Sequence, residues 1–123
     1  PSRKIHKLLC MCNPQYTKEI ERNLKERFPH CSIACSSDIL IEIMNEGVTK
    51  ADAINHLCDY YSINKQDIVA FGDNYNDKEM LESVGMGIAM GNAPEDIKKI
   101  ASDVTDTNNQ DGIFKALQKL HII

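Results

Sequence analysis

The chain has 123 residues, of which 42% are hydrophobic and 26% are charged, and its formal net charge is −4. This length suffices for one domain with a hydrophobic core and is short for two. The composition is typical of a soluble globular protein, and the scattered lysines and arginines exclude the basic footprint of a nucleic-acid-binding domain. No apolar run is long enough to span a membrane, and the N-terminal residues PSRKIHK lack the apolar segment of a signal peptide.

The first part of the sequence predicts a strand, a helix and a hairpin. Residues 5–12 predict the strand, and Thr17 is predicted to be the N-cap of a helix over residues 18–28. The apolar face of this helix is expected to comprise Ile20, Leu24 and Phe28. Residues 31–36 and 39–44 predict two strands joined by a tight turn, an order typical of a small α+β module.

Asn45-Glu46-Gly47 is the next break, and we expect a domain boundary between residues 1–46 and residues 47–123. Beyond it, helices and strands alternate, which predicts an α/β architecture with a parallel sheet and flanking helices. The predicted helices are residues 50–61 after an N-cap at Thr49, 77–84, one beginning at Pro94, and 113–120; the predicted strands are residues 68–71, 85–91 and 103–105. The inner face of the first of these helices is expected to carry Ala53, Ile54, Leu57, Cys58 and Tyr61.

The five cysteines are Cys10, Cys12, Cys31, Cys35 and Cys58. Their odd number and the lack of a secretory signal indicate reduced thiols, and we expect a cytoplasmic protein. Zinc sites usually place cysteine pairs on loops, whereas four of these cysteines lie in or beside strand-like stretches. We therefore interpret them as small buried hydrophobic side chains.

The stretch IVAFGDNYNDKEML, residues 68–81, carries the chemistry. Its strand stops at Gly72, and the carboxylates Asp73 and Asp77 follow with two asparagines between them. A strand that passes through such a loop into a helix places these side chains at the carboxyl edge of a parallel sheet, where open α/β folds bind ligands. Carboxylate and amide oxygens on one loop can hold a hard cation such as Mg²⁺. The alternative is structural, because an aspartate pair in a loop is also typical of a turn and a helix cap.

Three motifs in this order resemble the haloacid dehalogenase (HAD) superfamily and, more narrowly, its Cof-type phosphatases with a C2 cap. They are GVTKADAI at residues 47–54, FGDNYND at residues 71–77 and GIAMGNA at residues 87–93. The resemblance covers residues 47–123, and residues 1–46 resemble the later part of the cap by their order of elements. It implies a partial Rossmann-like core preceded by part of an α+β cap.

The resemblance also implies an activity, the Mg²⁺-dependent hydrolysis of a small phosphorylated metabolite, such as a sugar phosphate, through an aspartyl-phosphate. Lys50 matches the catalytic lysine that contacts the transferring phosphate, and Asn76 matches a residue that hydrogen-bonds the phosphate. Asp73 matches the metal-binding carboxylate, and Asp77 matches the second acid of the metal site, acting directly or through water and the lysine. Asn92 is expected to belong to a turn and a helix N-cap rather than to touch a ligand.

The sequence departs from the family in one respect, because no Asp-x-Asp motif, which carries the family's nucleophile, occurs in it. We therefore expect it to be the C-terminal portion of such a phosphatase and to be inactive alone. The open sheet edge at residues 68–71 would then favour a homo-oligomer. The alternative is a non-catalytic HAD-like remnant that binds Mg²⁺ or phosphate weakly or serves as an assembly module.

Overall fold

The first part of the chain forms a three-stranded antiparallel sheet in the computed structural model, which describes residues 4–123. Its strands are β1 (Leu8–Met11), β2 (Cys31–Ser37) and β3 (Leu40–Asn45), in the order β1-β3-β2. Helix α1 (Thr17–Arg27) lies between β1 and β2 in the chain. The predicted strand, helix and hairpin are therefore confirmed, with ends that differ by a few residues from the predicted ones.

One face of this sheet is covered by α1. Ile20 and Leu24 of the helix pack against a buried cluster of Ile33, Cys35 and Ile41. Phe28, which was expected on the same face, is 48% exposed, because it follows the last turn of the helix instead of belonging to it.

Thr17 is the first residue of α1, so its prediction as the N-cap is wrong. Its buried hydroxyl donates to the carbonyl oxygen of Asp38 at 2.6 Å, and the carbonyl oxygen of Asn13 lies 3.2 Å from the same hydroxyl oxygen. The side chain of Asn13 caps the 3₁₀ turn that leads into the helix. Thr17 thus ties α1 to the turn of the β2–β3 hairpin.

The second part of the chain forms a three-stranded parallel sheet with flanking helices, which confirms the predicted α/β architecture. Its order is β4-β5-β6, with β4 spanning Val69–Gly72, β5 spanning Met86–Ala89 and β6 spanning Asp103–Val104. The helices are α2 (Lys50–Tyr61), α3 (Lys78–Ser83), α4 (Glu95–Ile100) and α5 (Gly112–Lys119). The core of this part is a buried cluster of Leu81, Ala89, Ala93 and Ile97.

The predicted start of α2 is confirmed, since the Thr49 side chain accepts a hydrogen bond from the backbone N–H of Asp52 at 3.1 Å. The predicted inner face is wrong for Ala53, Leu57 and Tyr61, which are exposed, whereas Cys58 is buried. The reason is that α2 packs on α3 and on the loop before α3, which covers only a narrow stripe of the helix.

All five cysteines are free thiols, of which Cys35 and Cys58 are buried and the other three are partly buried. No helix within residues 4–123 is long and apolar enough to cross a membrane.

Candidate functional site

The loop between β4 and α3 is closed by the carboxylate of Asp77, which is 3% exposed. Asp77 Oδ2 accepts hydrogen bonds from the backbone N–H groups of Asp73, at 2.9 Å, and of Asn74, at 3.1 Å. A Cβ atom on Gly72 would lie only 2.6 Å from Asp77 Cβ, so a residue without a side chain is needed at the end of the strand. The sequence therefore folds this loop back on its own second aspartate.

Lys50, the first residue of α2, reaches the other oxygen of the same carboxylate. Its Nζ forms an ion pair and hydrogen bond with Asp77 Oδ1. The lysine side chain is 52% exposed and the aspartate side chain 4%, so the positive charge sits at the surface above a buried negative charge. An ammonium group has three donors, which leaves N–H groups that can donate to a bound anion.

Asp73 is exposed, and Asn92 lies beside it. Asn92 Nδ2 donates to Asp73 Oδ2 at 3.1 Å, and Asn92 Oδ1 accepts from the backbone N–H of Asn108 at 3.0 Å. The loops that follow β4, β5 and β6 therefore meet at one edge of the sheet. Asn92 was expected in a helix N-cap, but Pro94 holds that position in α4, and the Asn92 amide serves the aspartate instead.

Asn76 and Lys50 line a cleft of about 1000 Å³ between the loop and the antiparallel sheet. The opposite wall includes Ser32 and Ala34 of β2 and Lys18 of α1. Asp73 and Asp77 do not line this cleft. The lysine and the amide thus face the space in which a small molecule would fit, and the aspartates lie behind or beside them.

The residues at this edge fit a magnesium ion in the mode that Mg²⁺ usually adopts. No group of three or more His, Cys, Asp or Glu side chains within the described residues is placed to hold a metal ion. Both oxygens of Asp77 already accept hydrogen bonds, whereas Asp73 is exposed. Asp73 is therefore the carboxylate of this loop that is better placed to bind a metal ion. Mg²⁺ keeps several waters and is commonly bound through one or two carboxylates and a substrate phosphate, which is compatible with this donor set.

The structure brings the four sequence-predicted site residues to one place: Lys50, Asp73, Asn76 and Asp77 all lie in or beside the β4–α3 loop. The sequence predicts a helix cap at Asn92 and does not predict its hydrogen bond to Asp73, 19 residues earlier in the chain. The order of the parallel strands is the signal that could have indicated it, because loops at the carboxyl ends of adjacent strands leave the sheet at the same edge.

Residues 1–117 match the family model described as haloacid dehalogenase-like hydrolase. The chain is 45% identical over 118 residues to a candidate phosphatase of Haemophilus influenzae, covering 96% of this chain and 45% of that protein. It is 44% identical over 80 residues to the 5-amino-6-(5-phospho-D-ribitylamino)uracil phosphatase YitU of Bacillus subtilis, covering 65% of this chain and 30% of that protein. The chain thus spans less than half the length of these curated relatives.

Solved structures resemble the whole described fold. A sugar phosphatase of HAD subclass IIB has a TM-score of 0.86 and 28% identity, covering 98% of this chain and 45% of the other. A phosphatase of the same superfamily from Bacteroides thetaiotaomicron has a TM-score of 0.85 and 30% identity, covering 98% of this chain and 44% of the other.

Proposed function

Because the chain belongs to the haloacid dehalogenase-like hydrolase family, we propose that it forms part of a magnesium-dependent phosphatase acting on a small phosphorylated metabolite. In this proposal residues 47–123 belong to the catalytic core, and residues 1–46 belong to the cap. Support for the boundary comes from the two sheets, which lie on opposite sides of residue 46 in the chain. The protein is proposed to be cytoplasmic, without a nucleic-acid or membrane partner.

The observation that carries the proposal is the charge arrangement around Asp77. A buried carboxylate, Asp77, holds the exposed ammonium group of Lys50, which lines the cleft, and the exposed carboxylate of Asp73 lies on the same loop as Asp77. Phosphoryl transfer gathers negative charge on the phosphoryl oxygens, and fixed positive groups stabilise that charge. Lys50 is placed to provide one such group.

Each residue has a proposed role. Lys50 donates to a phosphoryl oxygen while Asp77 keeps its ammonium group oriented, and the Asn76 side chain donates to a second oxygen. Asp73 holds Mg²⁺, supported by Asp77 through water and Lys50. When bound, Mg²⁺ supplies Lewis-acid charge that polarises the phosphoryl group. The nucleophile and the acid–base group are proposed to be aspartates of an Asp-x-Asp motif, which residues 1–123 do not contain.

The cleft supports a small substrate, because its volume of about 1000 Å³ suits a metabolite. Polar side chains from both walls face it, among them Ser32, Lys18 and Asn76. One relative is named for a ribitylaminouracil phosphate and one structure for a sugar phosphate, and both are polyhydroxylated compounds. We extend this class, a phosphorylated polyol or sugar, to the present protein.

Metal binding can be tested on the 123-residue chain itself by calorimetric titration with MgCl₂. We expect Asp73→Asn to weaken Mg²⁺ binding on the order of tenfold or more, because the exposed carboxylate is lost. Asp67→Asn is the matched control, since Asp67 is also exposed but lies in the turn before β4. Equal affinity of the wild type and Asp73→Asn would contradict the assignment.

The alternative function is that of a non-catalytic HAD-like remnant that binds Mg²⁺ or phosphate weakly or serves as an assembly module. Both functions share the loop, so metal binding does not separate them. Turnover does, because only a protein that also contains the nucleophile can hydrolyse a phosphomonoester through a covalent intermediate.

A further inference from the structure

Two side chains join the β4–α3 loop to the antiparallel part of the molecule. Asn74 Nδ2 donates to the backbone carbonyl oxygen of Ser36 in β2 at 2.8 Å. Lys18 of α1 places its Nζ 5.4 Å from the centre of the Tyr75 ring, within the range of a cation–π interaction. Adjacent residues of the loop therefore contact both the hairpin and the helix on the other side of the cleft.

Both the oxygen and the nitrogen of the Asn74 side-chain amide form hydrogen bonds. Its Oδ1 accepts from the backbone N–H of Tyr75 at 2.8 Å, while its Nδ2 makes the bond to Ser36. Its backbone N–H donates to Asp77 Oδ2 at 3.1 Å. This position needs an acceptor toward the loop and a donor toward the hairpin, and an asparagine side chain provides both in one rigid plane.

The β2–β3 hairpin, which Asn74 contacts, is itself bonded to α1. Thr17 Oγ1 donates to the carbonyl oxygen of Asp38, in the hairpin turn, at 2.6 Å, so α1 and the hairpin form one unit. Ser32 and Ala34, on the strand that Asn74 reaches, line the cleft. A displacement of this unit relative to the loop would change the width of the cleft.

We propose that Asn74 is a positioning residue that couples the position of the β2–β3 hairpin to the ligand state of the β4–α3 loop. The inference rests on the proposed function only in taking Mg²⁺ and phosphate as the ligands of that loop. A ligand that reorients Asp77 moves the backbone of Asn74, and the amide passes that movement to Ser36. Coupling of this kind is reciprocal. The factor by which ligand binding strengthens the contact between Asn74 and the hairpin is also the factor by which that contact strengthens ligand binding.

The hydrogen bond from Asn74 to Ser36 is called the bridge here. The variant Asn74→Asp removes the bridge and keeps the hydrogen bond within the loop. An aspartate keeps the oxygen that accepts from the Tyr75 N–H, but it replaces the donor by an oxygen that repels the Ser36 carbonyl. The matched control is Asn64→Asp, because the Asn64 side chain also accepts a backbone N–H in a turn, that of Gln66 at 3.1 Å. Asn74→Ala, which removes both bonds, provides a third comparison.

The first measurement is amide hydrogen exchange without added ligand. We expect exchange in residues 32–40 of Asn74→Asp to be faster than in the wild type by on the order of fivefold, the factor that loss of one hydrogen bond corresponds to. Asn64→Asp should match the wild type in this segment. Unchanged exchange in Asn74→Asp, or equal acceleration in the control, would overturn the bridge.

The second measurement follows backbone ¹H–¹⁵N signals during titration with MgCl₂ and then inorganic phosphate. In the wild type we expect signals of residues 73–77 and of residues 36–38 to shift with the same midpoint. In Asn74→Asp the loop signals should still shift, with a midpoint at a higher ligand concentration, and the hairpin signals should not shift. Loop shifts without hairpin shifts in the wild type would overturn the coupling alone. If neither segment responds in the wild type, the proposed function and the coupling both fail, and the exchange measurement still decides the bridge.

Discussion

Asp77 is the residue on which the shape of the site depends most. One of its oxygens receives two backbone N–H groups of its own loop, and the other receives Lys50 from the start of another helix. The motif is thus structural and chemical at once, because the bonds that form the loop also orient the lysine.

Replacement of Asp77 by alanine should destabilise the fold. The two N–H groups lose a buried acceptor in a partly buried loop, and we expect a decrease of about 2 kcal/mol in the free energy of unfolding, measured with urea. The Lys50 pair adds little to this value, because the lysine is half exposed. Asp67→Ala, at an exposed carboxylate, is the control, and an equally small effect of both substitutions would contradict the role of Asp77.

Replacement of Lys50 by methionine should separate stability from binding. We expect a stability change below about 1 kcal/mol, because a half-exposed ion pair contributes little. Affinity for inorganic phosphate, measured by NMR titration in the presence of Mg²⁺, should fall about tenfold or more, since a charge-assisted donor is lost. Lys99→Met, at an exposed position on α4, should leave phosphate binding unchanged. Unaltered binding in Lys50→Met would argue that this lysine is only a surface residue.

At this scale the sequence identified the residue types but not all of their contacts. Asp73, Asn76 and Asp77 lie in one motif, within residues 73–77, so their proximity followed from the sequence. The bond of Asn74 to Ser36 joins residues 38 positions apart, and no local pattern encodes the position of the hairpin relative to the loop. The local sequence therefore predicts no role for Asn74.

At the scale of single elements, β5 depends on a close approach to α3. A Cβ atom on Gly87 would lie 2.1 Å from the carbonyl oxygen of Leu81, in the middle of that helix. Leu81 and Ile88 are among the largest fully buried side chains. The glycine therefore sets the distance between helix and strand in the core that supports the β4–α3 loop.

Gly87→Ala should destabilise the fold by about 2 kcal/mol or more, because the backbone of α3 or β5 must move to admit the methyl group. Gly47→Ala is the control, since a Cβ there meets nothing within 4 Å and only its positive φ of 73° opposes the substitution. Thermal unfolding of both variants tests whether Gly87→Ala is the less stable of the two. A Gly47→Ala protein less stable than Gly87→Ala would contradict it.

The contact between α1 and its sheet gives a prediction about pH. Burial and the hydrogen bond to Glu21 raise the pKa of the Cys35 thiol to about 12. Burial of Glu21 opposes its ionisation, but hydrogen bonds from Lys25 and Cys35 outweigh burial and lower the pKa of this carboxyl. The charged form of Glu21 therefore stabilises the folded state above the ordinary glutamate pKa of about 4.3, and this contribution is lost as the pH falls through the lower folded pKa.

The free energy of unfolding of Glu21→Gln should accordingly differ from that of the wild type most at neutral pH and least in acid. We expect the difference in the free energy of unfolding to shrink below about pH 4.3, measured by urea unfolding from pH 7 to pH 3. Glu26→Gln, at an exposed position of the same helix, should show no comparable change with pH. A difference that is constant with pH would contradict the assignment.

The order and type of the elements could be predicted from the sequence, because apolar spacing and turn residues are local signals. The packing face of α2 could not. Ala53, Leu57 and Tyr61 have helical spacing, but spacing does not specify which element covers a face. Thr17 was assigned to a cap for a similar reason, since its bond to Asp38 depends on the hairpin being nearby.

At the scale of the whole molecule, an edge strand and an apolar helix face of the α/β part have no partner within residues 4–123. Strand β4 is at the edge of its sheet, and α2 exposes Leu57, Tyr60 and Tyr61, which are 53%, 81% and 63% exposed. Sheet edges and exposed apolar groups both favour association with another chain. For the 123-residue chain we expect a second copy to fill this role.

Sedimentation equilibrium should therefore give an average mass that rises from the monomer value of 13.9 kDa with protein concentration. Leu57→Lys should shift the rise to higher concentration, because a charge replaces an apolar contact. Ile122→Lys, at an exposed position near the C-terminus, should not. A monomer mass throughout the micromolar range would contradict this expectation.

The most direct test of the central claim, that the β4–α3 loop is the metal- and phosphate-binding part of a phosphatase site, is an activity measurement. It compares hydrolysis of p-nitrophenyl phosphate, with and without Mg²⁺, by the product of the native reading frame and by its Asp73→Ala variant. We expect Mg²⁺-dependent hydrolysis that falls on the order of a hundredfold or more in the variant, and no turnover by residues 1–123 alone. Hydrolysis that is equal in the wild type and Asp73→Ala, or independent of metal, would contradict the claim.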